Sequence, residues 1–316
     1  MTAVDPRPVV VEGTTSAPPR KRRSWRTTVA AYVAITKPRV VELLLITTLP
    51  AMVLAQRGLP PLGLALATLT GGALAAGSAH VYNQVIERDI DALMRRTSRR
   101  PLVNDVITVR GALVYGTVLL LVSVAMMLVW VNPLAAGLTV LANAFYVVVY
   151  TVVLKRRTSQ NIVWGGIAGC MPTLIGWAAV TNGLSWAPWV MFLVVFFWTP
   201  AHYWPLAIKF RHDYAAAGVP MLPVVAEDTK VGRQIVAYGV ATVAMSLVLA
   251  RVANLGWIYL AVAAVAGAWF IAESWRLLRA ARSGQRDLRP MRLFHASITY
   301  LTLVFVAVGA DVLILG

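Results

Sequence analysis

From residue 40 onward the chain alternates long apolar stretches with polar connectors, and this alternation decides what it can become. Nine stretches are read: 40–56, 62–86, 111–130, 134–153, 161–181, 186–208, 233–252, 257–276 and 293–314. A helix of roughly 20 such residues crosses about 30 Å of hydrocarbon. The expected fold class is therefore an all-α membrane protein with nine transmembrane helices. Composition agrees, with 59% of the 316 residues hydrophobic and 13% charged, where soluble domains carry about a quarter charged residues. So much apolar surface excludes soluble domains and a disordered chain. The single cysteine, Cys170, excludes a disulfide scaffold and a CxxC redox or metal motif.

The net charge of +16 would point to nucleic acid in a soluble protein. Here its distribution points to orientation, and no nucleic-acid partner is expected. With nine spans, all but Arg57 and Arg251 of the 29 Lys and Arg fall on one side. Short loops rich in Lys and Arg stay in the cytoplasm. The N-terminus and the long connectors 87–110, 209–232 and 277–292 are thus expected inside, and the C-terminus outside. Residues 1–28, rich in Pro, Ser, Thr and Arg, read as a disordered basic cytoplasmic tail, with 29–316 as the membrane domain. No cleaved signal peptide is expected, because only a short apolar run follows the Arg20–Arg26 cluster.

The connector after the second stretch carries Asn83, Glu87 and Asp91 at i, i+4 and i+8, a spacing that stacks side chains on one helix face. Carboxylates near hydrocarbon are costly and mark function. Two carboxylates and an amide oxygen form a hard donor surface. Mg²⁺ takes one or two carboxylates together with substrate phosphate oxygens. Five arginines, Arg88, Arg95, Arg96, Arg99 and Arg100, follow, and arginine binds phosphate bidentately. Orientation alone also explains basic residues, but not the acidic ones. Metal and arginines together point to a diphosphate substrate.

The connector after the sixth stretch overlays the first at an offset of 122, with six identities in 25 ungapped positions, among them His80 on His202 and Asp91 on Asp213. Lys209 then falls on Glu87. This reading gives Asp213 to metal and Lys209 to phosphate. Lys155, in the Lys155-Arg156-Arg157 run, adds a further cationic arm, and Lys37 and Arg39 flank Pro38; each is read as either a phosphate contact or an orientation signal. Tyr146 and Tyr150 stand one helical turn apart. No chemical role is read for Glu42, Glu273 or Asp311; the first two stand near Arg39 and Arg276.

These residues resemble the UbiA superfamily of intramembrane prenyltransferases, and within it the branch that farnesylates protohaem IX (the haem O synthases). The resemblance covers roughly 32–315. It is carried by Thr36-Lys37-Pro38-Arg39, the Asn83 to Pro101 stretch with Arg88-Asp89-Ile90-Asp91, Tyr150-Thr151 with Leu154-Lys155-Arg156, Gln160-Asn161-Ile162-Val163 and Gly176-Trp177. Trp198-Thr199-Pro200-Ala201-His202 and Gly218-Val219-Pro220-Met221-Leu222-Pro223 narrow it to the haem branch. Glu87 departs from the family's usual Asp, His212 from a frequent acidic residue and Ala201 from a frequent proline.

The resemblance implies nine helices in a UbiA-type ring around a central cavity that opens to lipid and is capped by the cytoplasmic loops. It implies a prenyltransferase that moves farnesyl from farnesyl diphosphate to the 2-vinyl group of haem B, with water addition, giving haem O. Mg²⁺ would sit on Asn83, Glu87, Asp91 and Asp213. Lys155 and Lys209, with Arg88, Arg95, Lys37 and Arg39, would meet the diphosphate. Tyr146, Tyr150, Trp198 and Tyr203 are the implied cavity aromatics. Of the four histidines, His202 is the first candidate for binding haem and His80, its overlay partner, the second. The implied setting is a bacterial plasma membrane, and a haem A synthase or terminal-oxidase assembly would receive the product. Two competing readings are a family member acting on an aromatic or quinone-precursor acceptor, and a secondary transporter.

Overall fold

A backbone inside hydrocarbon satisfies its N–H and C=O groups within its own segment, so the apolar stretches become helices. The computed structural model describes residues 24–315, without the side chains of 39–45. Its long helices are α2 (Pro38–Gln56), α3 (Leu62–Ile86), α5 (Val109–Trp130), α6 (Pro133–Leu154), α7 (Asn161–Thr181), α8 (Trp186–Lys209), α11 (Asp228–Val252), α12 (Trp257–Arg282) and α13 (Pro290–Leu315). Short helices α1 (Trp25–Ile35), α4 (Arg88–Leu93), α9 (Arg211–Ala216) and α10 (Leu222–Val225) lie between or before them. Strands are absent among the described residues.

Eight of these helices are long and apolar enough to cross a membrane. The expected first span, 40–56, falls on the 19-residue α2, whose apolar Ile46–Gln56 portion is described. Trp130, Trp186 and Trp257 stand exposed at helix ends on the side of the short connectors, as interfacial tryptophans do. The chain is a multi-pass membrane protein. Helices outrun their apolar stretches where polar residues continue the turn: α11 starts at Asp228 and α12 runs to Arg282. The tail reading also shifts. Residues 25–28 belong to α1, which buries Ala31 and Ile35 against Val81, Leu102 and Ala112. Residues 1–23 lie outside the described residues.

Successive long helices pack against one another and α13 returns to α2, closing a ring. Its interior is crossed by α2 against α7 and by α8 against α13. Small residues permit close approach where apolar burial alone gives no drive between helices. Ser78 Oγ donates to Gly116 O and Ser123 Oγ to Gly71 O, each at 2.7 Å, joining α3 to α5. At Gly176 on α7 an added Cβ would lie 2.6 Å from the Thr48 carbonyl oxygen of α2, so that crossing requires glycine.

The two acidic residues without a chemical role in α12 and α13 fasten these helices together. Asp311, 3% exposed, accepts hydrogen bonds from the Gly256 and Tyr259 N–H groups at 2.5 and 3.0 Å. It therefore caps the start of α12 from a neighbouring helix. At the other end Glu273 pairs with Arg276 and with Arg292 of α13. Asp311→Ala leaves the buried Tyr259 N–H and the partly buried Gly256 N–H without their acceptor and should lower stability by about 2 kcal/mol, read as a lower midpoint of thermal unfolding in detergent. An unmoved midpoint would remove the capping role.

Candidate active site

The row Asn83, Glu87, Asp91 survives a break in the helix beneath it. Helix α3 ends at Ile86, Glu87 leaves helical geometry at φ −98°, and α4 restarts at Arg88. The Glu87 N–H still donates to Asn83 O and the Asp91 N–H to Glu87 O, at 3.0 and 2.9 Å. The i, i+4, i+8 register therefore holds, and all three residues are buried, at 2%, 1% and 2% exposure.

Each is met by a cation from a different segment. Lys37 Nζ donates to Asn83 Oδ1 at 3.1 Å. Lys155 Nζ reaches both carboxylate oxygens of Glu87 at 2.5 Å. The Arg100 guanidinium pairs with Asp91. A buried charge left alone is strongly destabilising, by about 3–5 kcal/mol when one partner is removed, so these pairings make the row tolerable.

Local backbone geometry aims these cations. Lys37 adopts the left-handed conformation at φ 53° between α1 and Pro38, the first residue of α2. Such a non-glycine conformation costs on the order of 1–3 kcal/mol and clusters at functional sites. Burial, and then Arg100 and Lys155, push the Lys37 ammonium pKa down to about 7. On α6 the turns from Phe145 to Leu154 widen into a π-helix, a feature frequent at functional sites. There Thr151 Oγ1 donates to Tyr146 O at 2.9 Å and accepts from Asn83 Nδ2 at 3.2 Å. The amide nitrogen of Asn83 is thereby occupied and its oxygen faces the lysine.

The second loop closes over the first. The Arg96 N–H donates to Asp213 Oδ2 at 3.3 Å, and the Arg96 guanidinium donates to the Tyr214 hydroxyl at 3.5 Å. The Tyr203 and Tyr214 hydroxyls share a 3.0 Å bond, and burial raises the Tyr214 pKa. Ile90 and Met94 join Ala207, Tyr214 and Met221 in one buried cluster.

Several expected contacts lie elsewhere. Lys209 is exposed, although the overlay gives it a phosphate. Arg88 forms an exposed pair with Asp105, and Arg95 is exposed. The Arg39 and Glu42 side chains lie outside the described residues. Glu87, Asp91 and Asp213 do not form a group able to hold one ion by themselves, because each carboxylate is drawn to its own donor. Sequence reading underrated Arg100, Arg96 and Thr151. Residues Arg96 and Arg100 look like any positive-inside arginine, and Thr151 gives no signal beyond its place in the Tyr150-Thr151 pair.

Below the row lies an apolar cavity of about 180 Å³ between α2, α3, α6 and α7, with Gly72, Ala76, Ala79, His80, Tyr146 and Pro172 in its wall. The expected cavity thus sits in one half of the ring, because α2 packs across to α7. Tyr146 and Tyr150 rings are 5.3 Å apart, and Lys155 Nζ is 5.9 Å from the Tyr150 ring centre. The two histidines separate. His202 lies in the α8–α13 seam, stacked at 4.1 Å on Trp198 and 4.5 Å on Phe294, with Nδ1 2.7 Å from Ser297 Oγ. Trp198 Nε1 donates to Ser297 O at 2.8 Å, so neither residue is in the cavity wall. His80 is.

The donor chemistry fits a magnesium ion shared with phosphate. Asn83 Oδ1 and the Glu87 and Asp91 carboxylates are buried hard oxygens. Without a self-sufficient protein cage among the described residues, phosphate oxygens would complete the shell, as Mg²⁺ sites commonly have it.

One glycine positions this edge of the site. A Cβ at Gly165 would lie 2.2 Å from Tyr150 Cδ2. Gly165→Ala should displace the Tyr150 ring, and the Lys155 arm above it. Pyrophosphate binding by calorimetry is expected to weaken by about tenfold; equal affinity would count against this linkage.

A family model described as the UbiA prenyltransferase family matches residues 44–298. Proteins named protoheme IX farnesyltransferase are similar along nearly the whole chain. The one from Cutibacterium acnes is 56% identical over 93% of this chain and 88% of its own. The one from Leifsonia xyli is 57% identical over 90% and 93%. The one from Streptomyces coelicolor is 53% identical over 98% and 99%. Among solved structures, digeranylgeranylglyceryl phosphate synthase superposes with a TM-score of 0.73 at 16% identity, over 90% of this chain and 98% of that one. A UbiA homologue from Archaeoglobus fulgidus bound to GPP and Mg²⁺ gives 0.59 at 19% identity, over 88% and 99%. At those identities the solved structures speak to the fold alone. The family model, and relatives more than half identical along the chain, place the sequence in one group: it belongs to the UbiA prenyltransferase family.

Proposed function

We propose that the chain transfers a farnesyl group from farnesyl diphosphate to the 2-vinyl group of haem B, with addition of water, giving haem O and diphosphate. The observation that carries this reading is a row of buried oxygen donors, each paired with a cation, directly above an apolar cavity. The name shared by its similar relatives supports the acceptor.

Lys37, Lys155 and Arg100 hold the diphosphate, exchanging their carboxylate or amide partners for phosphate oxygens. Lys209, Arg88, Arg95 and Arg39 attract the anionic head group from the cytoplasmic side. Asn83, Glu87 and Asp91, with Asp213 across the loop contact, would hold Mg²⁺, which would supply charge that neutralises the leaving group. As the carbon–oxygen bond of the substrate breaks, the electron pair goes to the diphosphate, where the three cations stabilise the growing charge. The prenyl cation is left in a cavity from which bulk water is excluded. Tyr146, in the cavity wall, presents its aromatic ring to it, with Tyr150 beside it, while Trp198 stands apart in the α8–α13 seam. The vinyl electrons then bond to the prenyl carbon, and water adds to the resulting cation.

The basic connectors lie inside and the C-terminus outside the bacterial plasma membrane, following the positive-inside rule with α2 as the first span. The product serves a haem A synthase or terminal-oxidase assembly.

Expression in cells lacking this activity, followed by mass spectrometry of extracted haems, tests the reading. Haem O should accumulate with the intact chain and not with Asp91→Ala; accumulation in both would refute it. Lys155→Met should lower turnover by about 100-fold or more, measured as diphosphate release in the presence of haem B. A variant retaining most of the rate would displace Lys155 from the leaving group.

A further inference from the structure

His80 has a geometry that prenyl transfer alone does not use. Its side chain is 7% exposed, and neither ring nitrogen has a hydrogen-bond partner. It stands in the cavity wall, with the Tyr146 ring edge-on at 5.4 Å. Leaving a buried polar group unpaired costs about 1–3 kcal/mol, so an imidazole in this position calls for a partner that enters the cavity. Three other polar side chains of the wall donate to backbone carbonyls. Thr68 Oγ1 donates to Leu64 O, Thr139 Oγ1 to Ala135 O and Asn143 Nδ2 to Ala75 O.

Position along α3 indicates what that partner is. His80 precedes Asn83 by three residues, about 4.5 Å along the axis, on the cavity side of the buried row. This places the ring just below the head group, beside the carbon that ionises and the acceptor carbon that it joins. The cavity of about 180 Å³ leaves room for a water beside His80, which needs only about 10–15 Å³ of such space.

We propose that His80 is a catalytic residue that holds the water captured in the last step and takes its proton. The inference rests on the haem-farnesylation reading. When the vinyl group bonds to the prenyl carbon, the cation passes to the vinyl carbon next to the porphyrin ring. A lone pair of the water held by a ring nitrogen forms the new carbon–oxygen bond. The water's proton moves to that nitrogen and leaves later with the diphosphate or to solvent. Without the held water, the same cation discharges by losing a proton from a neighbouring carbon, giving an alkene product that lacks one water.

The test uses full-length enzyme in detergent with farnesyl diphosphate, haem B and water labelled with the heavy oxygen isotope. Mass spectrometry then measures the ratio of hydroxylated to alkene product. Wild type should give labelled hydroxyl product. His80→Leu should shift the ratio towards alkene by about tenfold or more, while diphosphate release falls less. His80→Gln, which still binds water but is a poor base, should recover part of the hydroxyl product and serves if His80→Leu does not fold. An unchanged ratio in the folded variants overturns the role of His80, and an altered Soret band with that unchanged ratio reassigns it to iron. Wild-type enzyme that yields no prenylated haem overturns the reaction itself.

Discussion

The pairing of each buried oxygen donor on α3 and α4 with a cation from a distant segment is the constraint on which the rest of the structure depends. Lys37 comes from the start of α2, Lys155 from the end of α6 and Arg100 from the loop after α4. Buried without its partner, each of these charges would be strongly destabilising. Together they bring three chain segments to one point, and the same charges suit a substrate that is anionic at one end and apolar at the other. Stability and function thus draw on one set of contacts, and a diphosphate can enter by replacing oxygens that the protein already supplies.

The apolar half of the problem is solved by small residues. Gly72, Ala76 and Ala79 leave open the space that larger side chains on α3 would fill. Elsewhere the same residue type brings helices together, as at Gly176 against α2 and Gly165 against Tyr150. A ring of helices with a cavity on one side results, because α2 packs across to α7 and closes the middle. Glu273 and Asp311, acidic residues in the other half, serve packing: one is an ion-pair partner and the other a cap. Burial of a carboxylate marks chemistry only where its partners can be exchanged for a ligand.

Much of the site was legible in the linear chain. The spacing of Asn83, Glu87 and Asp91 holds even through the helix break at Glu87, because two backbone hydrogen bonds carry the register across it. Lys155 was legible by its place at a helix end. Lys209 and Arg95 were not distinguishable from it by type, yet both are exposed. Of the two residues matched by the offset overlay, Asp213 meets the Arg96 N–H of the first loop and Lys209 is exposed, since matched positions in a repeat share backbone placement and not neighbours. His202 ranked above His80 on motif strength, but a strong motif marks packing as readily as ligation.

The sequence by itself determined that the chain crosses a membrane many times and that the hard donors Asn83, Glu87 and Asp91 share one face. These are properties of period, composition and spacing, which act within a single segment. Only the tertiary structure decided which arginine reaches Asp91, which tyrosine lines the cavity and which histidine is left with unpartnered nitrogens. Those outcomes depend on contacts between segments tens of residues apart. Such contacts are set by helix packing and by a single left-handed residue or π-turn, neither of which residue type alone specifies.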